Sequence, residues 1–206
     1  MATSIFQAEY NEEGKKNVIF ENTAKMIANR AKKEQVEIND YSTNIFEQFK
    51  KNYDNDTTFY RNGETKIAVK LLFRKITTIR KVEDIEEFLD KFKDHYKFFI
   101  ITKIAPKAYK QLLEYNNVEV FSDEDLLVNK IDHMFVPKHI TLPKEVQEQI
   151  RQEYGFKRNE IGKIKESDPI ARYYNLKPGD VIEIERPSKI SGISIYYRVC
   201  ISAPLM

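Results

Sequence analysis

Residues in the first third of the chain have the side chains that metal-dependent cleavage of a phosphodiester requires. Asp54 and Asp56 precede the tripeptide Glu64-Thr65-Lys66, an order similar to the carboxylate and Glu-x-Lys arrangement of such nucleases. Two carboxylates can hold Mg²⁺, and a lysine can orient the attacking water. Asn62-Gly63-Glu64 is also typical of an ordinary turn into a strand, which is the interpretation we favour. A stand-alone nucleic-acid-binding protein or Mg²⁺-dependent nuclease therefore stays as the alternative function.

Other catalytic and cofactor-binding patterns are missing from the sequence. The candidates for binding a soft metal are His95, His133, His139 and Cys200, and they lack the closely spaced pairs typical of a zinc site. No two glycines have the spacing of a phosphate-binding loop, and no serine lies in a Gly-x-Ser-x-Gly turn. We therefore predict no catalytic residue, no metal and no cofactor, and we expect the histidines to lie at strand and loop surfaces.

A row of cations on one segment is a candidate for following a phosphate backbone. Residues 66–74 alternate in hydrophobicity, which predicts a strand with one wet face, and Lys66, Lys70 and Arg74 share that face. Such a row could contact phosphates, although lysines are also a common way to keep an edge strand soluble. Because the chain has a net charge of only +2, any contact with nucleic acid must be local.

The elements that carry these residues alternate between helix and strand. Apolar periodicity, caps and turn residues define them. We predict helices over 15–31 and 82–93, a helix capped by Ser42, one beginning at Pro106, a short one opened by Ser122, and strands over 66–74, 96–102 and 118–121. This order predicts an α/β fold (α+β overall), with a mainly parallel or mixed sheet covered by helices.

The composition changes near residue 140. Four of the six glycines and five of the seven prolines follow this point, whereas twelve of the thirteen phenylalanines precede it. The change predicts an N-terminal α/β domain over 1–136 and a small mixed α/β domain over 137–206. A domain of this size has a marginal core on its own, so docking on something larger would complete it.

Turn and cap residues also define the elements of the second domain. Pro143 begins a helix that Gly155 ends, and Asp168-Pro169 begins another with Asp168 as its N-cap. Pro178-Gly179 predicts a type II turn, because glycine supplies the positive φ. Two strands, over 181–186 and 193–201, follow this turn.

Several linked motifs in the last ninety residues point to one family. They are Glu124-Asp125-Leu126-Leu127-Val128-Asn129, His133-Met134-Phe135-Val136-Pro137-Lys138-His139, Ser167-Asp168-Pro169-Ile170-Ala171-Arg172-Tyr173, Lys177-Pro178-Gly179-Asp180-Val181, Ile184-Glu185-Arg186-Pro187-Ser188, Ser191-Gly192 and Tyr197-Arg198. In this order they resemble the fifth subunit of eukaryotic RNA polymerases, which is related to a small component of the archaeal enzyme. Residues 97–101 followed by Ala105-Pro106-Lys107-Ala108 resemble the jaw-domain strand and proline-containing loop of that family. The first sixty residues resemble it only in their general helical character.

The resemblance implies a non-catalytic subunit of a DNA-dependent RNA polymerase. An N-terminal jaw domain would lie beside downstream duplex DNA, and a C-terminal assembly domain would dock on the largest subunit. The expected partners are therefore the largest and other polymerase subunits and, weakly, the DNA backbone, with no membrane and no small-molecule substrate. The residues implied in the subunit interface or in the fold motif are His139, Asp168, Pro169, Arg172, Tyr173, Gly179, Arg186, Ser188, Gly192, Tyr197 and Arg198.

The resemblance also predicts which residues lie near DNA. Ala105-Pro106-Lys107 matches the jaw loop, so Lys103, Pro106 and Lys107 are expected near DNA, with Lys66, Lys70 and Arg74 as a second candidate set. The 25 lysines against 9 arginines are typical of an A+T-rich genome, such as that of a large DNA virus. We expect an intracellular protein, in the host cytoplasm and virion if it is viral or in the nucleus if it is from a cellular eukaryote.

Overall fold

The computed structural model describes residues 11–31, 35–63, 65–79, 82–153, 161–190 and 192–202. They pack into two units. The first contains residues 11–28 and the described residues between 35 and 128, and the second contains residues 29–31 and those described from 129 onward. Both units combine helices with a sheet, which confirms the predicted fold class. The predicted division at residues 136 and 137 stays a prediction about folding domains.

The first unit is built on a mixed four-stranded sheet. Its strand order is β1-β2-β3-β4, with β1 antiparallel to β2 and the other neighbours parallel. Its elements are α1 (Glu12–Arg30), α2 (Gln35–Lys51), β1 (Thr57–Asn62), β2 (Thr65–Ile76), α3 (Glu83–Lys91), β3 (Tyr96–Ile104), α4 (Pro106–Leu113), β4 (Val118–Ser122) and α5 (Asp123–Leu127). The last two residues of α1 belong to the second unit.

The prediction of one wet face on β2 is wrong. All six residues from Ile67 to Leu72 are buried, including Lys70, because β2 lies between two strands and has packed layers on both faces. On one face Ala68 and Leu72 pack in an apolar cluster with Phe88 of α3 and other residues. The ammonium of Lys70 reaches the carbonyl oxygen of Asn55 at 2.9 Å. β2 is therefore a central strand, and neither the phosphate-binding face nor the soluble-edge interpretation fits Lys70.

Ser42 does not cap a helix as predicted. It lies in the middle of α2, where its hydroxyl donates to the carbonyl oxygen of Asn39 at 2.9 Å. A serine can make this local bond inside a helix as well as at an N-cap, so the residue type alone does not mark the start. The predicted starts at Pro106 and Ser122 are confirmed: Pro106 is the first residue of α4, and Ser122 Oγ accepts from the Asp125 N–H.

The second unit has a four-stranded sheet of order β5-β7-β8-β6. Its elements are a 3₁₀ turn (Lys130–Asp132), β5 (Lys138–Thr141), α6 (Lys144–Glu153), β6 (Gly162–Lys165), α7 (Pro169–Tyr173), β7 (Val181–Ser188) and β8 (Gly192–Ile201). The predicted β7–β8 hairpin and the helix after Asp168 are confirmed, whereas β5 and β6 were not predicted. Gly155, the predicted end of α6, lies outside the described residues.

No helix among the described residues is long and apolar enough to cross a bilayer.

Candidate functional site

Asp168 and Pro169, two residues of the family motifs, have local structural roles at the start of α7. Asp168 has extended backbone angles, and its Oδ1 accepts from the Ile170 N–H at 2.8 Å, as an N-cap does. Pro169 occupies the first helical position, where the missing N–H costs nothing. This cap fixes the direction of α7, whose Ala171 packs in the apolar cluster under the sheet.

Tyr173, at the end of α7, is buried and holds the polar groups of Asn29 and Arg30 within the second unit. Its hydroxyl accepts from Asn29 Nδ2 at 2.7 Å, and its backbone carbonyl accepts from Arg30 Nε at 2.7 Å. Arg30 Nη2 also donates to the carbonyl of Arg172 at 2.8 Å. Burial raises the pKa of the Tyr173 hydroxyl well above its usual value, so this group is a neutral hydrogen-bonding partner.

Gly179 supplies the positive φ that the turn before β7 requires. Its φ is 96°, and the Asp180 N–H donates to the carbonyl of Lys177 at 2.9 Å, which confirms the predicted type II turn. Gly179 N–H also bonds the Cys200 carbonyl at 2.8 Å and so ties the turn to β8. At the other end of the hairpin, Ser188 pairs with Gly192, whose φ is 73°. These glycines and Ser188 act in the fold.

The sheet of the second unit brings four side chains to one face. His139 pairs with Ile184, Ile184 with Tyr196, Ile182 with Arg198, and Arg186 with Ser194, so alternation places the set on the same side. We call His139, Arg186, Tyr196 and Arg198 the cationic face. The Arg186 guanidinium lies 5.4 Å from the centre of the Tyr196 ring, within the range of a cation–π contact. Tyr196 itself is about half exposed, at 51%.

The charge state of His139 follows from its neighbours on this face. Its Nδ1 lies 2.6 Å from the Pro137 carbonyl, so this nitrogen carries the proton. Burial lowers the pKa of His139; the bond to Pro137 opposes that effect, and the positive charges of Arg198 and Arg186 add to it. The histidine is therefore neutral at physiological pH, and the two arginines supply the positive charge of the face.

Tyr197 points to the opposite face from Arg198, because neighbouring residues of a strand alternate. It pairs with Glu183 across the hairpin. The motif residues thus divide into four groups: the cationic face, the α7 residues, the turn residues Gly179, Ser188 and Gly192, and Tyr197 on the other side of the sheet. Sequence reasoning missed Tyr196, although its position two residues before Arg198 in a strand is a sufficient signal.

Sequence reasoning also missed Gln147, which is buried on α6. Its Oε1 accepts from the Val181 N–H and its Nε2 donates to the Leu142 carbonyl, both at 2.8 Å. The side chain therefore joins the start of β7 to the segment before α6. An amide in an amphipathic helix gives no sequence signal for this role, because Val181, one of its two partners, lies 34 residues away in the chain.

In the first unit, Lys103, Pro106 and Lys107, the residues expected near DNA, are exposed at the carboxyl end of the sheet. Lys103 lies near the end of β3, and Pro106 and Lys107 form the first turn of α4. The Ala105 N–H donates to the Ile76 carbonyl at 2.8 Å, which ties this loop to the end of β2. Lys75 pairs with Lys103 across the two strands, so it joins the same cluster.

Lys66, Lys70 and Arg74, the three cations of β2 predicted to share one face, do not form one row. Lys66 lies at the start of the strand, nine residues from Lys75, which corresponds to about 30 Å. Lys70 is buried, and Arg74 forms an ion pair with Asp84 at 2.9 Å in which both side chains are about half exposed. The structure therefore separates Lys66, Lys70 and Arg74 instead of joining them into a track for a phosphate backbone.

Asp54 and Asp56, two carboxylates of the nuclease alternative, lie in a turn that backbone bonds between Asp54 and Thr57 close. Asp56 Oδ1 accepts from the Tyr53 hydroxyl at 2.7 Å, and both Asn55 and Asp56 have positive φ. Thr57 pairs with Lys70, so this turn lies at the opposite end of the β1–β2 ladder from Lys66. Glu64 lies outside the described residues. Among those that are described, no three acidic, histidine or cysteine side chains form a group able to hold a metal ion.

The remaining metal-binding candidates are separated, and one differs from its prediction. His95 is buried rather than at the surface, and its Nε2 accepts from Arg61 Nε at 3.0 Å. Cys200 is buried in β8 as its apolar segment predicted, and burial raises the pKa of its thiol to about 11. Such a thiol is protonated at neutral pH and is a poor nucleophile.

Comparison with known proteins assigns this chain to a protein family. Residues 128–200, almost all in the second unit, match the family described as RNA polymerase Rpb5, C-terminal domain. The "DNA-directed RNA polymerase subunit 5" of Acanthamoeba polyphaga mimivirus is 32% identical over 204 residues, which is 96% of this chain and 98% of the relative. The chain belongs to the RNA polymerase subunit 5 family, and the resemblance read from its motifs is confirmed.

Cellular relatives match a smaller part of the chain. A Dictyostelium discoideum relative, "DNA-directed RNA polymerases I, II, and III subunit rpabc1", is 36% identical over 131 residues, 61% of this chain and 66% of its own length. The RPABC1 subunit of Caenorhabditis elegans is 34% identical over 98 residues, 48% of this chain and 44% of its own. Of these three relatives, the mimivirus protein matches nearly the whole length of the chain.

Proposed function

We propose that this chain is a non-catalytic subunit of a multisubunit DNA-dependent RNA polymerase, present in the compartment where that polymerase transcribes. Its second unit docks on the largest subunit, and its first unit is a jaw domain that lies beside downstream DNA. The names of the relatives support the polymerase assignment.

The observation that carries the docking proposal is the cationic face. Arg186 is exposed and stacks on the half-exposed ring of Tyr196, with Arg198 next along the same strand face. Arginine and tyrosine are the residues that protein interfaces favour as anchors. Since His139 is neutral, the face carries two positive charges and suits carboxylates of a protein partner.

Co-expression with the largest polymerase subunit tests docking. An Arg186→Ala plus Arg198→Ala variant should lose complex, because a buried partner carboxylate left unpaired typically costs about 2–5 kcal/mol. Arg172→Ala is assayed separately, since α7 is a second part of the proposed interface. Lys163→Ala plus Lys165→Ala, two exposed cations on β6, is the matched control and should be recovered like the wild type. Equal recovery of all variants would contradict docking through the cationic face.

The DNA side of the proposal is supported by the exposed cluster at the carboxyl end of the first sheet. Lys75, Lys103 and Lys107 are all exposed there. Because the net charge of the chain is only +2, we expect weak binding by the isolated protein. The lysines would act once the polymerase holds the duplex in place, as a local concentration effect.

The alternative, a stand-alone nucleic-acid-binding protein or Mg²⁺-dependent nuclease, predicts a different result for the purified chain. It requires cleavage of DNA or RNA in the presence of Mg²⁺ and does not require large partner chains. Stoichiometric recovery with the two largest polymerase subunits, together with no cleavage by the purified chain, would select the polymerase proposal. The turn position of Asp54 and Asp56 favours that outcome.

A further inference from the structure

Two neighbouring apolar side chains project from the segment before β5. Met134 is 85% exposed and Phe135 is 80% exposed. Neither belongs to the apolar cluster that Ile164, Ile182 and Cys200 form with other residues of the second unit. Single exposed apolar residues are ordinary, but two adjacent large ones on a protein surface are typical of an interaction site.

The backbone holds these two side chains in a defined turn. The Val136 N–H donates to the His133 carbonyl at 2.8 Å, and the Phe135 N–H donates to His133 Nδ1 at 3.3 Å. The His133 and Phe135 rings also pack with their centres 5.5 Å apart. We call residues 133–136 the apolar turn. It is fixed on one side by the 3₁₀ turn, through the His133 N–H and the Lys130 carbonyl, and on the other by β5.

This arrangement suits insertion into a protein pocket. Because the turn is already hydrogen-bonded, binding would cost little further conformational entropy. Phenylalanine supplies a large apolar contact surface, and methionine adapts to irregular pockets. DNA is a poor occupant, since phosphate contacts require donors and positive charge, which these two side chains lack.

We propose that Met134 and Phe135 enter an apolar pocket of the largest polymerase subunit and form a second docking contact beside the cationic face. This inference rests on the proposed docking function. His139 of the cationic face lies four residues after Phe135, at most about 14 Å along an extended chain, and its Nδ1 bonds the Pro137 carbonyl between them. A partner that covers the cationic face therefore reaches the apolar turn as well.

A photo-crosslinking amino acid in place of Phe135 tests the contact in the assembled polymerase. The expected product joins position 135 to the largest subunit, at a site lined by apolar residues. Crosslinks to another subunit, to DNA or to a second copy of this chain would overturn the inference. A polymerase that contains the substituted chain and gives no protein crosslink would also overturn it.

Affinity measurements separate this inference from the proposed docking itself. Met134→Ser plus Phe135→Ser should weaken binding of the full chain to the largest subunit about tenfold or more, as loss of an apolar anchor does. Leu113→Ser plus Tyr115→Ser, two partly exposed residues of the first unit, is the matched control and should bind like the wild type. If the Arg186 and Arg198 variant weakens binding and the apolar-turn variant does not, only this inference fails. If neither weakens it, the docking proposal fails too.

Discussion

Lys75 and Lys103 are register partners on the parallel strands β2 and β3, and both side chains are exposed. Like charges on paired positions of a sheet destabilise it. In the part of the chain that the structure describes, no carboxylate forms an ion pair with either lysine. Lys107 adds a third exposed cation from the first turn of α4. This repulsion between lysines at one end of the sheet is consistent with a site for an anionic partner.

The first prediction concerns the salt dependence of the transcribing complex. Lys103→Ala plus Lys107→Ala should make the decrease in elongation-complex stability with salt shallower, by up to two phosphate contacts at a slope of about 0.9 each. Adding Lys75→Ala should reduce the slope further. The measurement is the lifetime of the complex over a series of salt concentrations.

The matched control for that experiment is Lys50→Ala plus Lys51→Ala at the end of α2, far along the chain from Lys103 and Lys107. Its salt curve should follow that of the wild type. Curves that coincide for all variants would mean that the lysine cluster makes no phosphate contact.

The second prediction separates the stability of the isolated chain from its function. Lys75→Glu replaces a like-charge pair with an opposite-charge pair, so the free energy of unfolding should increase by about 0.2–1 kcal/mol. The same change should weaken the DNA contact. Urea denaturation of the free protein measures the first effect. A decrease in stability would show that the two lysines do not repel each other appreciably.

The third prediction uses the buried carboxylate of Asp123. Burial alone would raise the pKa of Asp123, but hydrogen bonds from Lys15 at 2.7 Å and Thr102 at 2.8 Å outweigh it, and the pKa is lowered. A folded-state pKa below the unfolded value contributes stability above the unfolded value, and this is lost as pH falls through the folded pKa. Asp123→Asn should therefore lower stability at pH 7 by about 2 kcal/mol.

The pH dependence checks that explanation. The difference between wild type and Asp123→Asn should shrink as the pH falls below about 4, because the carboxylate is then protonated first in the unfolded chain and, at still lower pH, in the folded protein. Asp90→Asn removes an exposed partner of Lys93 and should change stability by less than about 0.5 kcal/mol. A constant difference between the Asp123 variant and wild type down to acidic pH would exclude the proposed linkage.

The fourth prediction concerns the cap of α7. Asp168→Ala removes the acceptor of the Ile170 N–H, so the free energy of unfolding of the chain should decrease by about 1 kcal/mol. Asp168→Asn keeps an oxygen at the same place and should be nearly neutral. If both variants dock on the largest subunit like the wild type, Asp168 acts through the fold alone. Loss of docking by the Asn variant would instead assign its charge to the interface.

Local signals in the sequence were sufficient where one residue type determines one backbone state. Asp168 and Pro169 begin α7, Pro106 begins α4, and Gly179 takes the positive φ of its turn. The starts of these two helices and the turn at Gly179 could therefore be predicted from the sequence alone. Ser42 is the exception, because a serine hydroxyl has an acceptor inside a helix as well as at its start.

Burial and side-chain grouping depended on the tertiary structure. Lys70 has the sequence pattern of an exposed residue and is buried, because β2 is a central strand and Asn55 offers its ammonium a carbonyl. Lys97 is also buried, with its ammonium 3.0 Å from the His95 carbonyl. Alternation along one strand shows which side chains share a face, but the neighbouring strands decide whether that face meets water.

The cationic face and the cluster of Lys75, Lys103 and Lys107 could also be predicted only in part from the sequence. The sequence by itself determined the family, the fold class and the identity of most residues on the cationic face. Only strand register joined His139, Arg186, Tyr196 and Arg198, and only register placed Lys75 opposite Lys103. Register is fixed by hydrogen bonds between segments that are far apart in the chain, so no local pattern of residues contains it.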